Sequence, residues 1–230
     1  MISQKISNKI SIVICSYNGW QYTHQLLGDI KNKCTGVHEV VVVNNGSTDA
    51  DVMKGLEFWK RTGILPLRRI TLEENIGFGG GFTTGLKAAT GNIIVAISND
   101  VRIYSPEFLK FVEVGIEHGS NIVGGRLLSQ DTGWNRFGNT TIPYLEGWLL
   151  GATDIAWDDL GYFDERYGLG DFEDVDFSYT ASKRGYDFTE LPHGCCEHLG
   201  ARTFGYNPER AARTIENQEK FRKKWSLEYV

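Results

Sequence analysis

The sequence predicts an α/β fold with a mostly parallel central sheet flanked by helices, and three observations carry that expectation. Near-continuous Val/Ile runs alternate with amphipathic stretches through the first half, as strands buried on both faces and their covering helices require. Each run ends in a polar, glycine-bearing or Asn/Asp-bearing turn. After about residue 120 the texture changes to short apolar segments, glycines and tryptophans (Trp134, Trp148, Trp157), which reads as a smaller antiparallel part.

Taken in order, Ile10 to Cys15 is a buried strand and Trp20 to Lys33 an amphipathic helix. Glu39 to Asn44 is the second strand, and Ser47 or Asp49 caps the helix after it. Leu67 to Leu72 is the third strand. A glycine-rich turn then leads into a helix ending near Thr90-Gly91, and Asn92 to Ser98 forms the fourth strand. Ser105-Pro106-Glu107 reads as a helix start, with Ser at the N-cap and Pro at the first helical position. Further on come a helix at Glu173 to Arg184, a strand at Tyr186 to Leu191 and a polar helix from Asn207 to Trp225. No linker rich in Pro, Ser or charge and no internal repeat interrupts the chain, so one mixed α/β domain over 1–230 is the economical reading.

Composition narrows the class. Hydrophobic residues at 41% and charged residues at 23% fit an ordinary water-soluble domain. A net charge of −5 argues against a general nucleic-acid binder, which needs a basic face. Cys15, Cys34, Cys195 and Cys196 do not form a spaced disulfide framework, which fits a reducing, cytoplasmic setting. The N-terminal MISQKISNK lacks an apolar signal core, and no apolar run approaches a membrane span. A membrane-borne substrate would have to be visited at the surface.

Ligands of open α/β sheets bind outside the carboxyl ends of the strands. Those ends are Ser16-Tyr17-Asn18, Asn44-Asn45-Gly46-Ser47-Thr48-Asp49, Asn75-Ile76-Gly77-Phe78-Gly79-Gly80-Gly81 and Ser98-Asn99-Asp100. Four such turns on one edge make a binding crevice. The glycines from Gly77 to Gly81 suit a backbone that must approach a ligand closely.

The segments SIVICSYNG, VVVNNGSTD, NIGFGGG…GLKAATGNIIVAISND, GYFDERYGLGDFEDVDFSYTASKRGY and EHLG, in this order, resemble family 2 glycosyltransferases of the GT-A fold, and in particular their rhamnosyltransferase-like branch. The resemblance runs from about residue 9 to about residue 224. It implies a nucleotide-sugar-binding half at about 9–120, an acceptor and catalytic half at about 121–206, and a helix over 207–230. Ser16, Tyr17, Asn18, Asn44, Asn75, Gly77, Gly79, Ser98 and Asn99 then fall at the donor, with Asn44 facing the base. Ser98-Asn99-Asp100 matches the family's D-x-D motif, whose last acid binds a divalent cation, Mn2+ or Mg2+, bridging the diphosphate. Ser98 replaces the first acid, and His198 in Glu197-His198-Leu199-Gly200 completes the metal site.

The family's acid pair matches Glu173-Asp174. Asp174 is then the general base that takes the proton of an acceptor hydroxyl as it attacks the anomeric carbon with inversion, and Glu173 orients the acceptor or the helix. Trp148 falls on the acceptor side. Arg202, Arg210 and Arg213 lie where relatives carry a loop that closes over the diphosphate. The implied donors are dTDP-rhamnose or a UDP-hexose, and the implied acceptor is a growing glycan or lipid-linked glycan.

Competing readings are weaker. Gly77 to Phe82 superficially has the look of a dinucleotide-binding G-x-G-x-x-G, but it ends in Phe and follows the third strand. Pro192 to His198 holds half a zinc site, with no second Cys/His pair at a workable spacing. Ser98 and Asn44 leave open a nucleotide-sugar-binding protein that has lost catalysis.

Overall fold

The structure is a computed structural model and describes residues 8–117, 121–200 and 207–228. It opens with β1 (Ile10–Ser16), α1 (Trp20–Lys33), β2 (Val37–Asn45), α2 (Ala50–Thr62), β3 (Leu67–Leu72), α3 (Gly77–Ala88) and β4 (Ile93–Ser98). Next come β5 (Val101–Ile103), α4 (Phe108–Ile116), β6 (Asn121–Gly124) and the short strands β7 (Leu127–Leu128), β8 (Arg136–Phe137), β9 (Thr140–Thr141) and β10 (Tyr144–Leu145). The order ends with β11 (Leu149–Thr153), α5 (Asp154–Leu160), α6 (Glu173–Lys183), β12 (Asp187–Glu190), β13 (Cys196–His198) and α7 (Pro208–Trp225).

One seven-stranded sheet runs β12-β6-β11-β4-β1-β2-β3. The pairs β4/β1, β1/β2, β2/β3 and β12/β6 are parallel, and β11 runs antiparallel to both its neighbours. The sheet therefore spans both halves of the sequence and makes a single domain. Alternation along β1 and β2 divides the core. Ile12, Ile14, Val40 and Val42 face α1 and α2, while Val13 and Val41 face α3.

Two sequence expectations change. Gly77 to Gly81 is not a turn but the opening of α3. Its glycines let that helix sink onto the sheet: a Cβ on Gly81 would stand 2.5 Å from Cys15 Sγ, and one on Gly85 would stand 2.5 Å from Val13 Cγ1. The helix expected at Ser105-Pro106 begins only at Phe108, because Ser105 Oγ accepts from Glu107 N and closes a separate turn first. Asp49 is the cap of α2, accepting from Asp51 N at 2.9 Å. Among the described residues no helix is long and apolar enough to cross a membrane.

Candidate active site

A cleft of about 560 Å3 opens along the carboxyl ends of β1, β2 and β4 and reaches the start of α6. Strand alternation decides which strand-end residues line it. Residues in phase with Val13 and Val41 face α3 and the cleft: these are Cys15 and Asn45. Asn45 donates to Asn75 Oδ1 at 3.0 Å and to the Gly77 carbonyl at 2.9 Å, and accepts from Ile76 N at 3.1 Å. It thereby fastens the loop before α3 to β2.

Residues of the opposite phase are spent inside the fold. Ser16 is buried with its hydroxyl 2.8 Å from that of Thr23 on α1. Asn44 points at α2, donating to Met53 Sδ and accepting from Ser47 N, and it does not line the cleft. At that strand end it is therefore Asn45, and not the expected Asn44, that lines the cleft. Asn18 Oδ1 accepts from the backbone of Thr48 and Asp49, holding two loops together. Gly77 and Gly79 sit just behind the lining, where a Cβ on Gly77 would overlap the Gly168 carbonyl. Tyr17, Asn75, Ser98 and Asn99 line the cleft, Asn99 also donating to Thr23 Oγ1 at 3.1 Å.

Asp100 stands two residues past the end of β4 and is 6% exposed, inside the cleft. The antiparallel pair β5/β13 brings His198 opposite Val101, which leaves His198 Nε2 3.1 Å from Asp100 Oδ1. Asp29 on α1 secures β5 of this pair by accepting from Arg102 Nε at 2.7 Å and from Ile103 N at 3.1 Å. Trp148 lies parallel to the His198 ring at 5.4 Å. The same indole packs so tightly on Gly125 that an added Cβ would stand 1.9 Å from it. Trp148 thus backs the His198 ring and also lines the cleft beside Glu146 and Gly147.

At the other end, Glu173 and Asp174 start α6 within the cleft lining. Asp174 Oδ2 accepts from Gly147 N at 2.9 Å and Oδ1 from Val175 N at 2.8 Å, which fixes the plane of the carboxylate. Burial pushes its pKa up to about 6, against the pull of those two donors, with the charge of Glu146 adding to the rise. Glu173 is 6% exposed and its Oε2 has no hydrogen-bond partner. Burial and then the neighbouring Asp174 charge raise its pKa well above the usual carboxylate range. Two carboxyls raised together at a cleft end are what a proton-accepting site needs.

Glu146, Tyr144 and Phe78 join this end of the cleft, and α7 contributes Arg210, Arg213 and Thr214. None of the first three was singled out from sequence, since Tyr144 lies in a two-residue strand and Glu146 just after it, without a periodic signal. Arg210 pairs with Asp171 at 2.6 Å. Arg202 lies outside the described residues. Among the described residues no cluster of three or more His, Cys, Asp or Glu stands ready for a metal.

A mostly parallel sheet, with a strand-end aspartate and a helix-start acid pair opening into one cleft, has the architecture of GT-A transferases. The sequence pattern of "Glycosyl transferase family 2" matches residues 11–180, and the chain belongs to that family. It is 31% identical over 127 residues to an uncharacterized glycosyltransferase of Nostoc sp., covering 51% of this chain and 38% of that protein. To a dolichol-phosphate mannosyltransferase of Pyrococcus furiosus it is 30% identical over 118 residues, covering 51% of this chain and 32% of the other. The match thus spans only about a third of the length of these curated relatives. In structure it is similar to a mannosyltransferase of Pyrobaculum calidifontis solved with GDP-Man and Mn2+, with a TM-score of 0.67 at 19% identity over 93% of this chain and 70% of that one. That likeness speaks for the fold.

Proposed function

We propose that this chain transfers a sugar from a nucleoside-diphosphate donor to a hydroxyl of a glycan or lipid-linked glycan, inverting the anomeric centre with the help of a divalent cation. The observation that carries the reading is that Asp100 with His198, and Glu173 with Asp174, open into the same cleft. A carboxylate beside an imidazole is a donor set suited to Mn2+ and acceptable to Mg2+. Asp100 and His198 would hold the ion, and diphosphate oxygens and water would complete its shell, since Ser98 supplies no second acid. When bound, the cation neutralises the charge that develops on the departing diphosphate.

The chain's own residues do the rest. Asp174, aimed by the Gly147 and Val175 N–H groups, accepts the proton of the incoming hydroxyl. Glu173, whose carboxyl burial and the neighbouring Asp174 charge shift toward the protonated form, orients the acceptor beside the base. Trp148 keeps the His198 ring in place.

Incubation with a panel of nucleotide sugars and Mn2+ tests this, with nucleoside diphosphate release as the readout. dTDP-rhamnose leads the panel because of the branch the sequence resembles, and UDP-hexoses and GDP-mannose follow. Binding of a donor, seen as a raised melting temperature, without release alone or with glycan acceptors would leave only the catalytically silent binder. The name of the Pyrococcus relative favours a second reading, a lipid phosphate as acceptor. A phosphate is already anionic and needs no base, and Glu146 and Asp174 would repel it. A polyprenyl phosphate added to the panel separates the two.

A further inference from the structure

Helix α6 starts without a side-chain cap. Its N-cap residue, Phe172, sits at φ 83° and ψ −13° and offers the first turn no side-chain hydrogen bond. The approach is strained as well: Gly170, Asp171 and Phe172 take φ values of 138°, 71° and 83° in succession. Positive φ at two non-glycine residues persists only where the surroundings over-determine it. Something other than local sequence must therefore hold the turn that presents Glu173 and Asp174.

The contacts that do so come from α7. The amide nitrogen of Asn217, a residue with 0% exposure, lies 2.8 Å from the Tyr167 carbonyl, 2.9 Å from that of Gly170 and 2.9 Å from that of Asp171. These carbonyls bracket the strained turn. Lys220 Nζ donates to Asn217 Oδ1 at 3.1 Å and fixes which way the amide faces. Around it, Arg210 and Thr214 bond the Asp171 carboxylate at 2.6 and 3.1 Å, and Arg213 Nε donates to the Gly170 carbonyl at 3.3 Å. Below, Phe221 packs on the Phe172 ring at 5.8 Å, and Lys224 and Trp225 hold Asp176 of α6 at 2.6 and 2.7 Å.

We infer that α7 is the clamp of the acid pair and that Asn217 is its positioning residue, touching no substrate and setting where Glu173 and Asp174 point. This rests on the glycosyl-transfer reading above. In that reading a displacement of about 1 Å at the base costs on the order of a hundredfold in rate. The donor end, built on β1, β2 and β4, does not touch Asn217 and is untouched by its loss.

The test compares wild type, Asn217→Ala, Asn217→Ser and a core trim on α1, Ile30→Val, which lowers stability far from the turn. Two readouts are used: steady-state kinetics with the active donor, and amide hydrogen exchange across residues 168–176. Asn217→Ala is expected to lower kcat about 10- to 100-fold with the donor KM within twofold. Exchange at 168–176 should speed up at least tenfold, with no change in β1 and β2. Asn217→Ser, which keeps one donor and less void, should recover part of the loss and supplies the result where the Ala variant does not fold. Ile30→Val should lower the melting temperature and leave kcat and the turn's exchange as they are. Unchanged kcat in an active enzyme, or unchanged exchange at the turn, overturns the clamp. If the wild type transfers no sugar at all, exchange decides alone: faster exchange upholds the clamp while the transfer reading falls separately.

Discussion

Along β1, β2 and β4 the cleft residues Cys15, Asn45 and Ser98 end regular strands whose partners are other strands of one sheet. The acid pair of α6 instead follows three successive residues at positive φ, and depends on side chains of a helix some forty residues further along the chain. The first end is positioned by backbone ladders that any buried β-former sustains. The second is positioned by particular side chains, so it tolerates far less change. The strand-built end is rigid, and the acid end is tied by individual side chains.

The largest effect is expected at the tied end. Asp174→Asn keeps the size of the side chain and removes the proton acceptor, so kcat should fall by about 10²–10⁴-fold while donor affinity holds. Nucleoside diphosphate release and calorimetric donor binding measure the two terms. Turnover near that of wild type would take the base away from Asp174. Asp100→Ala comes next. A cation worth several kcal/mol to the leaving group implies a loss of about 10²–10³-fold, and with it the loss of any response to a chelator. If the chelator leaves wild-type turnover unchanged, Asp100 has no metal to hold.

A smaller effect belongs to the packing under the donor end. Gly85→Ala forces a methyl to within 2.5 Å of Val13 Cγ1 and 2.8 Å of Val43 Cγ2, lifting α3 from the sheet. It should cost about 1–3 kcal/mol by chemical denaturation, with kcat changed far less than by Asp174→Asn. A kcat loss as deep as that one would mean that the two ends are not built independently.

The same contrast explains what could be read before any coordinates. The first four strands follow from Val/Ile runs, and the cleft follows from their ends, because burial imprints a pattern on sequence. Asn44 and Asn45 show the finer limit. Both are polar at the same strand end, and only the pleat, counted from Val40 and Val42 against Val41, tells which faces α2 and which the cleft. The glycines of α3 show another limit: their cause is the closeness of a helix to a sheet, a tertiary fact with no local signature. Asn217 lies deepest in this respect. A single polar residue on a polar helix has nothing in its neighbours to mark it, and its role exists only once the turn at 168–172 is beside it.

The smallest expected effect separates function from stability at the tied end. Asp174 ionises in the fold at about 6, against an ordinary value of 3.8. Glu146 and the adjacent Glu173 face it as acids, and Glu173 in turn has Asp171 and the Asp171-bound Arg210 near it. Below the ordinary value both folded and unfolded chains carry the proton, so the group's contribution to stability is complete. As pH rises toward and through about 6 the unfolded chain ionises freely and the fold does so only against burial, so that contribution is lost. The full linkage value of such a rise is about 3 kcal/mol, and water at the half-buried carboxylate reduces the expected change to about 1 kcal/mol. Activity runs the other way, because the base works only when ionised: kcat should rise with pH up to about 6 and then level. Denaturation of wild type and Asp174→Asn at pH 4 and pH 7 measures the stability side. Wild type should lose about 1 kcal/mol relative to the variant across that window, and parallel curves would mean that the fold does not resist the charge on which the proposed chemistry depends.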